Sequence, residues 1–219
     1  MSALGPDPAH ARFSGQGKQT LQCAILFLDL VGYSARSVDE QVLVKKRLNQ
    51  VFMRILRSVA PEQRLAIDTG DGAAVCFLGH CPAALQSALL LRDLLMQRYG
   101  YALSLRIGLH YGPVRVVPDI NGRLSVVGDG INDAQRIMDF ARPNQILLSR
   151  AYRDVLADTP LPQGCAFQEA GLHQDKHGRM HALYRVQDVA LLAAEPAARY
   201  GADPAPQDPI KPGSDPPRQ

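Results

Sequence analysis

This 219-residue sequence has no Cys-x-x-Cys pair, no apolar run long enough to cross a bilayer, no strong excess of one charge and no internal repeat. Each absence removes a class of function. The four cysteines, Cys23, Cys76, Cys81 and Cys165, lack the paired spacing of a zinc site. Cys23 and Cys76 sit inside apolar runs, where a buried thiol is ordinary, so we read all four as reduced thiols of a cytoplasmic protein. The longest apolar runs, such as 23–28, fall far short of the ~20 residues that span a bilayer. The N-terminal stretch 1–17 holds no apolar run and is not expected to be a secretory signal, so membrane attachment would need a partner. Lys and Arg number 24 against 21 Asp and Glu, a net charge of +3, which makes no case for a nucleic-acid or membrane-surface protein.

An apolar share of 46% and a charged share of 21% suit one globular domain with a sizeable core. Residues 1–18 are rich in Gly, Pro, Ser and Ala and predict a flexible arm. The domain is expected over 19–190. Residues 191–219 include Pro196, Pro204, Pro206, Pro209, Pro212, Pro216 and Pro217 and predict a disordered tail, either passive or a docking segment for a regulator. Residues 21–31 read as a buried strand. A helix is expected over 42–59, with Val44, Leu48, Val51, Phe52, Ile55 and Val59 on one stripe. Segments 64–68 and 73–77 around Thr69-Gly70-Asp71-Gly72 predict a hairpin. Pro82 opens a second helix through Met96, closed near Gly100. Leu103, Leu105, Ile107 and Leu109 alternate as a half-buried strand that Gly112-Pro113 should break. A short strand at 124–127, a helix after Gly128-Asp129-Gly130 to about Phe140 and late strands at 145–148, 167–172 and 180–186 complete the order. Ser149 is expected to cap an intervening helix. The order β-α-β-β-α-β with further elements predicts an α+β sandwich around a ferredoxin-like core, its helices on one face of a mainly antiparallel sheet.

Several polar residues stand out against this pattern. Asp29 ends a buried strand, where a carboxylate needs compensation. Either it caps a helix, or it sits beside a metal and the backbone N–H groups of Val31, Gly32, Tyr33 and Ser34 as they enter a helix, which suits a metal with phosphate. Asp71 is either an ordinary Asp-Gly turn residue or a second carboxylate brought to the end of the Asp29 strand; two carboxylates could hold two Mg²⁺ ions. Asn132 and Arg136, four apart, share a helix face, either solvated or able to orient a ribose and bind a phosphate. Lys176 lies in the polar connection 173–179, whose histidines make only a weak case for a metal.

Taken together, these segments resemble the class III adenylyl/guanylyl cyclase family. Phe27-Leu28-Asp29-Leu30-Val31-Gly32-Tyr33-Ser34 looks like its first metal motif and Thr69-Gly70-Asp71-Gly72 like its second. Arg106-Ile107-Gly108-Leu109-His110-Tyr111-Gly112-Pro113-Val114 matches a family strand and turn, and Gly128-Asp129-Gly130-Ile131-Asn132-Asp133-Ala134-Gln135-Arg136-Ile137 matches the helix with the catalytic Asn and Arg. Lys176 falls where the family places a triphosphate-binding lysine. The resemblance spans roughly 21–186 and implies a head-to-tail homodimer. One protomer would contribute Asp29 and Asp71 with two Mg²⁺ or Mn²⁺, its partner Asn132, Arg136 and Lys176. The implied reaction makes a cyclic 3′,5′-monophosphate from a nucleoside triphosphate.

Two positions depart from the family. Its adenylyl cyclases place a lysine where this chain has Ile67, and Asp or Thr where it has Ser125. Those positions read the purine edge; Ile67 forms no hydrogen bond, while Ser125 donates or accepts. ATP is expected by family frequency, with weak discrimination against GTP. Alternation should turn Asp68 away from Ile67. A nucleotide-binding module without turnover and an interaction protein using the Pro-rich tail are the competing readings. A diguanylate cyclase is set aside for want of a Gly-Gly-Asp/Glu-Glu-Phe segment.

Overall fold

The computed structural model describes residues 19–187. The expected arm (1–18), the last three residues of the expected domain and the Pro-rich tail lie outside the described residues. The centre of the sheet is β1 (Leu21–Leu30), buried from Cys23 to Leu30. It runs antiparallel to β3 (Gly72–Phe77) on one side and to β4 (Leu105–Pro118) on the other. A strand with neighbours on both edges and cover on both faces reads as a continuous apolar run. Beyond β3 lies β2 (Arg64–Asp68), and β4 runs parallel to β6 (Ile146–Ser149). The order is completed by β8 (Met180–Gln187) and then β7 (Ala166–Gln174), while β5 (Leu124–Val127) pairs with the far end of β4.

Side chains alternate across β1. Ala24, Leu26 and Leu28 pack beneath α1 (Val38–Leu56) and α2 (Pro82–Tyr99), and Cys23, Ile25 and Phe27 face α3 (Asp129–Asp139). The short α4 (Arg150–Val155) joins the first face through Tyr152. Its hydroxyl donates to the Cys81 carbonyl at 2.7 Å and accepts from Leu85 N–H at 3.0 Å. Helices therefore cover both faces, which corrects the expectation of one. Glycine explains how α3 seats on the second face: a Cβ at Gly108 of β4 would stand 2.5 Å from the Ala134 carbonyl and the Met138 nitrogen.

The helix starts four residues earlier than expected. Ser37 caps α1, its backbone N–H donating to Glu40 at 2.9 Å and its hydroxyl accepting from Glu40 N–H at 3.4 Å, a capping box ahead of the apolar stripe. The helix ends at Leu56, so Val59 lies in the following turn. Each leucine or valine buried on that stripe contributes roughly 1.5–3 kcal/mol. The predicted break at Gly112-Pro113 does not occur, and β4 continues to Pro118. Its second edge pairs with β6 only up to Leu109 and with β5 only from Arg115. Pro113 falls in the gap, where a missing N–H is tolerated.

Candidate active site

Asp29 stands near the end of β1, opposite Gly72 of β3 and Arg106 of β4. It is 8% exposed. Its Oδ2 accepts from Arg106 Nη2, and its Oδ1 is buried without a hydrogen-bond partner. Asp71 reaches it from the β2–β3 turn. Gly70 takes φ +89°, and Leu30 N–H donates to the Asp71 carbonyl at 3.1 Å. Gly72 makes this approach possible, since a Cβ there would stand 1.9 Å from the Leu28 carbonyl oxygen. Burial pushes the Asp29 carboxyl above the usual carboxylate range; the Arg106 bond pulls it down, the Asp71 charge pushes it up again, and the net direction is up.

An unpartnered carboxylate oxygen beside a second carboxylate is an arrangement that a divalent cation relieves. Asp29 and Asp71 fit Mg²⁺ or Mn²⁺ as hard oxygen donors. Among the described residues no group of three or more His, Cys, Asp or Glu could hold a metal. Such an ion would therefore complete its coordination with water, backbone carbonyls and phosphate oxygens.

Residues 31–34 follow directly. Val31 N–H donates to Ser104 at 3.0 Å, Gly32 takes φ 68°, and Tyr33–Ala35 form a single 3-10 turn. The expected direct entry into a helix is corrected here: Arg36 returns to extended backbone and α1 begins afresh behind Ser37. Lys45 of α1 braces the neighbouring turn, donating to Asp68 and to the Gly72 carbonyl, both at 2.8 Å. Asp68 thus faces α1, while Ile67 packs into the apolar cluster beneath α3, as alternation predicts. Leu124 and Val126 of β5 enter that same cluster, so the half-buried Ser125 between them points to the other side of β5.

A second constellation forms around α3. Asn132 is exposed and Arg136 half-buried, both on the side away from Ala134. Arg136 Nη1 lies 3.5 Å from Asp139, and its Nη2 lies 3.4 Å from His177 Nε2. The β7–β8 turn leans on this helix, with Arg179 Nη1 3.7 Å from both Asp129 and Asp133. Lys176 is exposed at the tip of that turn. Beneath them His110 is buried, its Nδ1 2.8 Å from Ser149 Oγ and its Nε2 3.9 Å from Asp133. Burial holds its pKa down against the Asp133 charge.

The structure therefore assembles Asp29 with Asp71, and Asn132 and Arg136 with the turn carrying Lys176, as two separate sets. The first turn of α3 sits over Gly112, which pairs with Cys23, and the 134–138 segment sits over Gly108, which pairs with Phe27 two residues from Asp29; Asn132 and Arg136 turn outward from that seam, toward the β7–β8 turn. Sequence reasoning did not single out Arg106, Asp133, His177 and Arg179. A charged residue on the inward period of a buried strand marks Arg106, but only the β1–β4 register places it opposite Asp29.

Residues 16–181 match the family model for the adenylate and guanylate cyclase catalytic domain. The human guanylate cyclase soluble subunit beta-2 is 28% identical over 183 residues, covering 76% of this chain. The chain spans 29% of that protein's length. Among solved structures, the adenylyl cyclase CyaB from P. aeruginosa superposes with TM-score 0.65 at 17% identity, covering 78% of this chain and 96% of that one. The guanylate cyclase domain of RhGC from Catenaria anguillulae, in complex with GTP, gives TM-score 0.65 at 19% identity, covering 77% and 98%. The adenylate/guanylate cyclase/hydrolase from Silicibacter pomeroyi gives 0.61 at 24% identity, covering 78% and 99%. These likenesses carry the fold. Among the described residues, no helix is long and apolar enough to cross a membrane.

Proposed function

Because the chain belongs to the adenylate and guanylate cyclase catalytic-domain family, we propose that it converts a purine nucleoside triphosphate into a cyclic 3′,5′-monophosphate and pyrophosphate. ATP is the favoured substrate and GTP the alternative. The observation that carries this reading is Asp29, with one buried oxygen unpartnered and Asp71 alongside. That pair would hold Mg²⁺ or Mn²⁺, which when bound neutralises the triphosphate and lowers the pKa of the ribose hydroxyl.

The other set does the positioning. Asn132 orients the ribose so that its 3′ oxygen lies in line with the α-phosphorus. The 3′-hydroxyl gives up its proton to water, a new bond forms from that oxygen to phosphorus, the bond to the bridging oxygen breaks so that pyrophosphate leaves, and Arg136 stabilises the charge that grows on the α-phosphoryl oxygens. Lys176 holds the leaving pyrophosphate. Residues 31–34 line the phosphate side; of the two positions expected to read the base, Ile67 packs into the apolar cluster with Leu124 and Val126, and Ser125, turned away from that cluster, is the side chain free to meet it. The resemblance to head-to-tail cyclases supports a homodimer in which the carboxylates of one protomer face Asn132, Arg136 and Lys176 of its partner, working in the cytoplasm.

The test is mass-spectrometric detection of cyclic monophosphate from ATP, GTP, CTP and UTP with Mg²⁺ or Mn²⁺. Asp29→Asn and Arg136→Ala should each be inactive. Mixed and re-equilibrated, they should recover about a quarter of wild-type activity, because half of the dimers then carry one intact site of two. Tight nucleotide binding with no product in a dimeric sample would select the second reading, a nucleotide-binding domain that regulates a partner. The chemistry at Ile67 favours that reading, since an apolar side chain there gives the base no hydrogen bond.

A further inference from the structure

The turn between β7 and β8 is organised around one carboxylate. Asp175 is 9% exposed. Its Oδ1 accepts from the backbone N–H groups of His177 at 2.8 Å and Arg179 at 2.9 Å, and its Oδ2 lies 3.1 Å from His181 Nε2. The Asp175 N–H donates to the Arg179 carbonyl at 2.9 Å, and Gly178 N–H, at φ +79°, donates to the Asp175 carbonyl at 3.0 Å. Burial alone would raise this carboxyl, but His181 and the two amides outweigh it and hold it down at about 2. A hairpin tip needs no such core to turn. Here four of these bonds fix the backbone around Lys176, and the fifth ties the carboxylate to His181.

The folded tip is joined to α3 at both ends of the helix. At the start, Arg179 meets Asp129 and Asp133; midway, His177 meets Arg136. At the end, the Phe140 ring lies 6.1 Å from the ring of His181, the partner of Asp175, and 5.0 Å from that of His173. Exposed ion pairs at 3.7 Å contribute little to stability, but together with the ring contacts they fix where the tip stands. A flexible lysine on a mobile turn would lose side-chain and loop entropy on binding phosphate, a cost that preorganisation removes.

We propose that Asp175 is a positioning residue for substrate. It locks the β7–β8 tip so that Lys176 presents its charge to the triphosphate from a fixed place beside α3. This rests on the cyclase reading above.

The test combines kinetics with amide hydrogen exchange on the full chain. Asp175→Ala should raise KM for the metal–nucleotide complex about tenfold while kcat stays within about threefold, the signature of lost binding without lost chemistry. Asp175→Asn keeps an acceptor for both amides and should recover most of that loss. Combined with Lys176→Ala, Asp175→Ala should add nothing further, because it acts through the lysine. His181→Phe keeps the ring beside Phe140 and removes only the partner of Oδ2; it should shift KM the same way by about threefold, which covers the case in which Asp175→Ala does not fold.

The exchange arm needs no turnover. In Asp175→Ala the amides of His177 and Arg179 should exchange at least about tenfold faster, with those of Leu183 and Val186 unchanged. Inorganic pyrophosphate should slow exchange at the tip in wild type but not in Asp175→Ala. Multiplying losses in the double variant, or tip amides indifferent to Asp175, would overturn the proposal. A wild-type protein that makes no product from any nucleotide would sink the cyclase reading, while the exchange pattern would still decide whether Asp175 organises the tip.

Discussion

Arg106 donates to Asp29 Oδ2 from the position directly opposite it in the β1–β4 ladder, and Asp29 Oδ1 has no partner. One oxygen of the carboxylate is thus committed to the fold and the other is left free. Replacing Arg106 by alanine leaves a buried charge beside Asp71 with nothing to offset it. We expect Arg106→Ala to cost about 1–3 kcal/mol in urea denaturation at neutral pH. The cost arises only while Asp29 is charged, so it should shrink as pH falls through the raised Asp29 pKa. A loss that did not change with pH would mean that Arg106 acts through packing alone.

The buried Asp29 carboxyl costs stability when it is charged. A carboxyl whose folded pKa is raised favours the folded state when protonated, and that contribution is lost as pH rises through the folded value. At neutral pH without metal, Asp29→Asn should therefore melt at the same temperature as wild type or higher. Adding MgCl₂ should raise the melting temperature of wild type by mass action and leave the variant unmoved. Protons and metal compete for the same oxygens, so the Mg²⁺ concentration for half-maximal product should rise as pH is lowered. Scanning fluorimetry with and without MgCl₂ reads the first two effects, and a metal titration at several pH values reads the third.

The elements were largely legible in the sequence because their signals are local. The apolar run of β1, the Pro82 and Gly100 ends of α2 and the Gly-rich β2–β3 turn each lie within a few residues. The start of α1 was also written there, in Ser37 and Glu40, but the apolar stripe drew the boundary too far along. The passage of β4 through Pro113 and the placing of α3 on the second face were not legible, since both depend on which strand edges and faces find partners. The same holds for the site. Asp29, Asp71, Asn132 and Arg136 stand out by type and spacing, whereas the pairing of Arg106 with Asp29 and the seating of Arg179 against Asp129 and Asp133 exist only once distant strands are in register.

Gly72 offers a backbone test of the carboxylate site. Its missing Cβ leaves the space in which the Leu28 carbonyl of β1 sits, and the contact would be with backbone, which has no alternative rotamer. Gly72→Ala should destabilise the domain by about 3 kcal/mol or more, or give insoluble protein. Gly70→Ala meets no atom within 4 Å but places alanine at φ +89°, so about 1 kcal/mol is expected. Equal costs at the two positions in chemical denaturation would contradict this account of how Asp71 is brought to Asp29.

Base selection should be weak in wild type and open to design. Ile67 packs into the cluster shared with Leu124 and Val126, and its neighbour Asp68 is held on the opposite face by Lys45. Neither Ile67 nor Asp68 is therefore free to read a purine edge. A site without a buried reader penalises the wrong base little, whereas one built to hydrogen-bond rejects a base that leaves its groups unpaired. Wild type should favour one purine by less than about 100-fold in kcat/KM. Ile67→Lys with Ser125→Asp, the pairing implied by resemblance to adenylyl cyclases, should shift the ATP-to-GTP ratio at least about tenfold toward ATP. Ile67→Lys alone should lose stability by about 1 kcal/mol, because a half-buried apolar contact is given up. Competition assays with both nucleotides in one tube measure the ratio directly. An unchanged ratio in a folded, active double variant would show that these two positions do not meet the base.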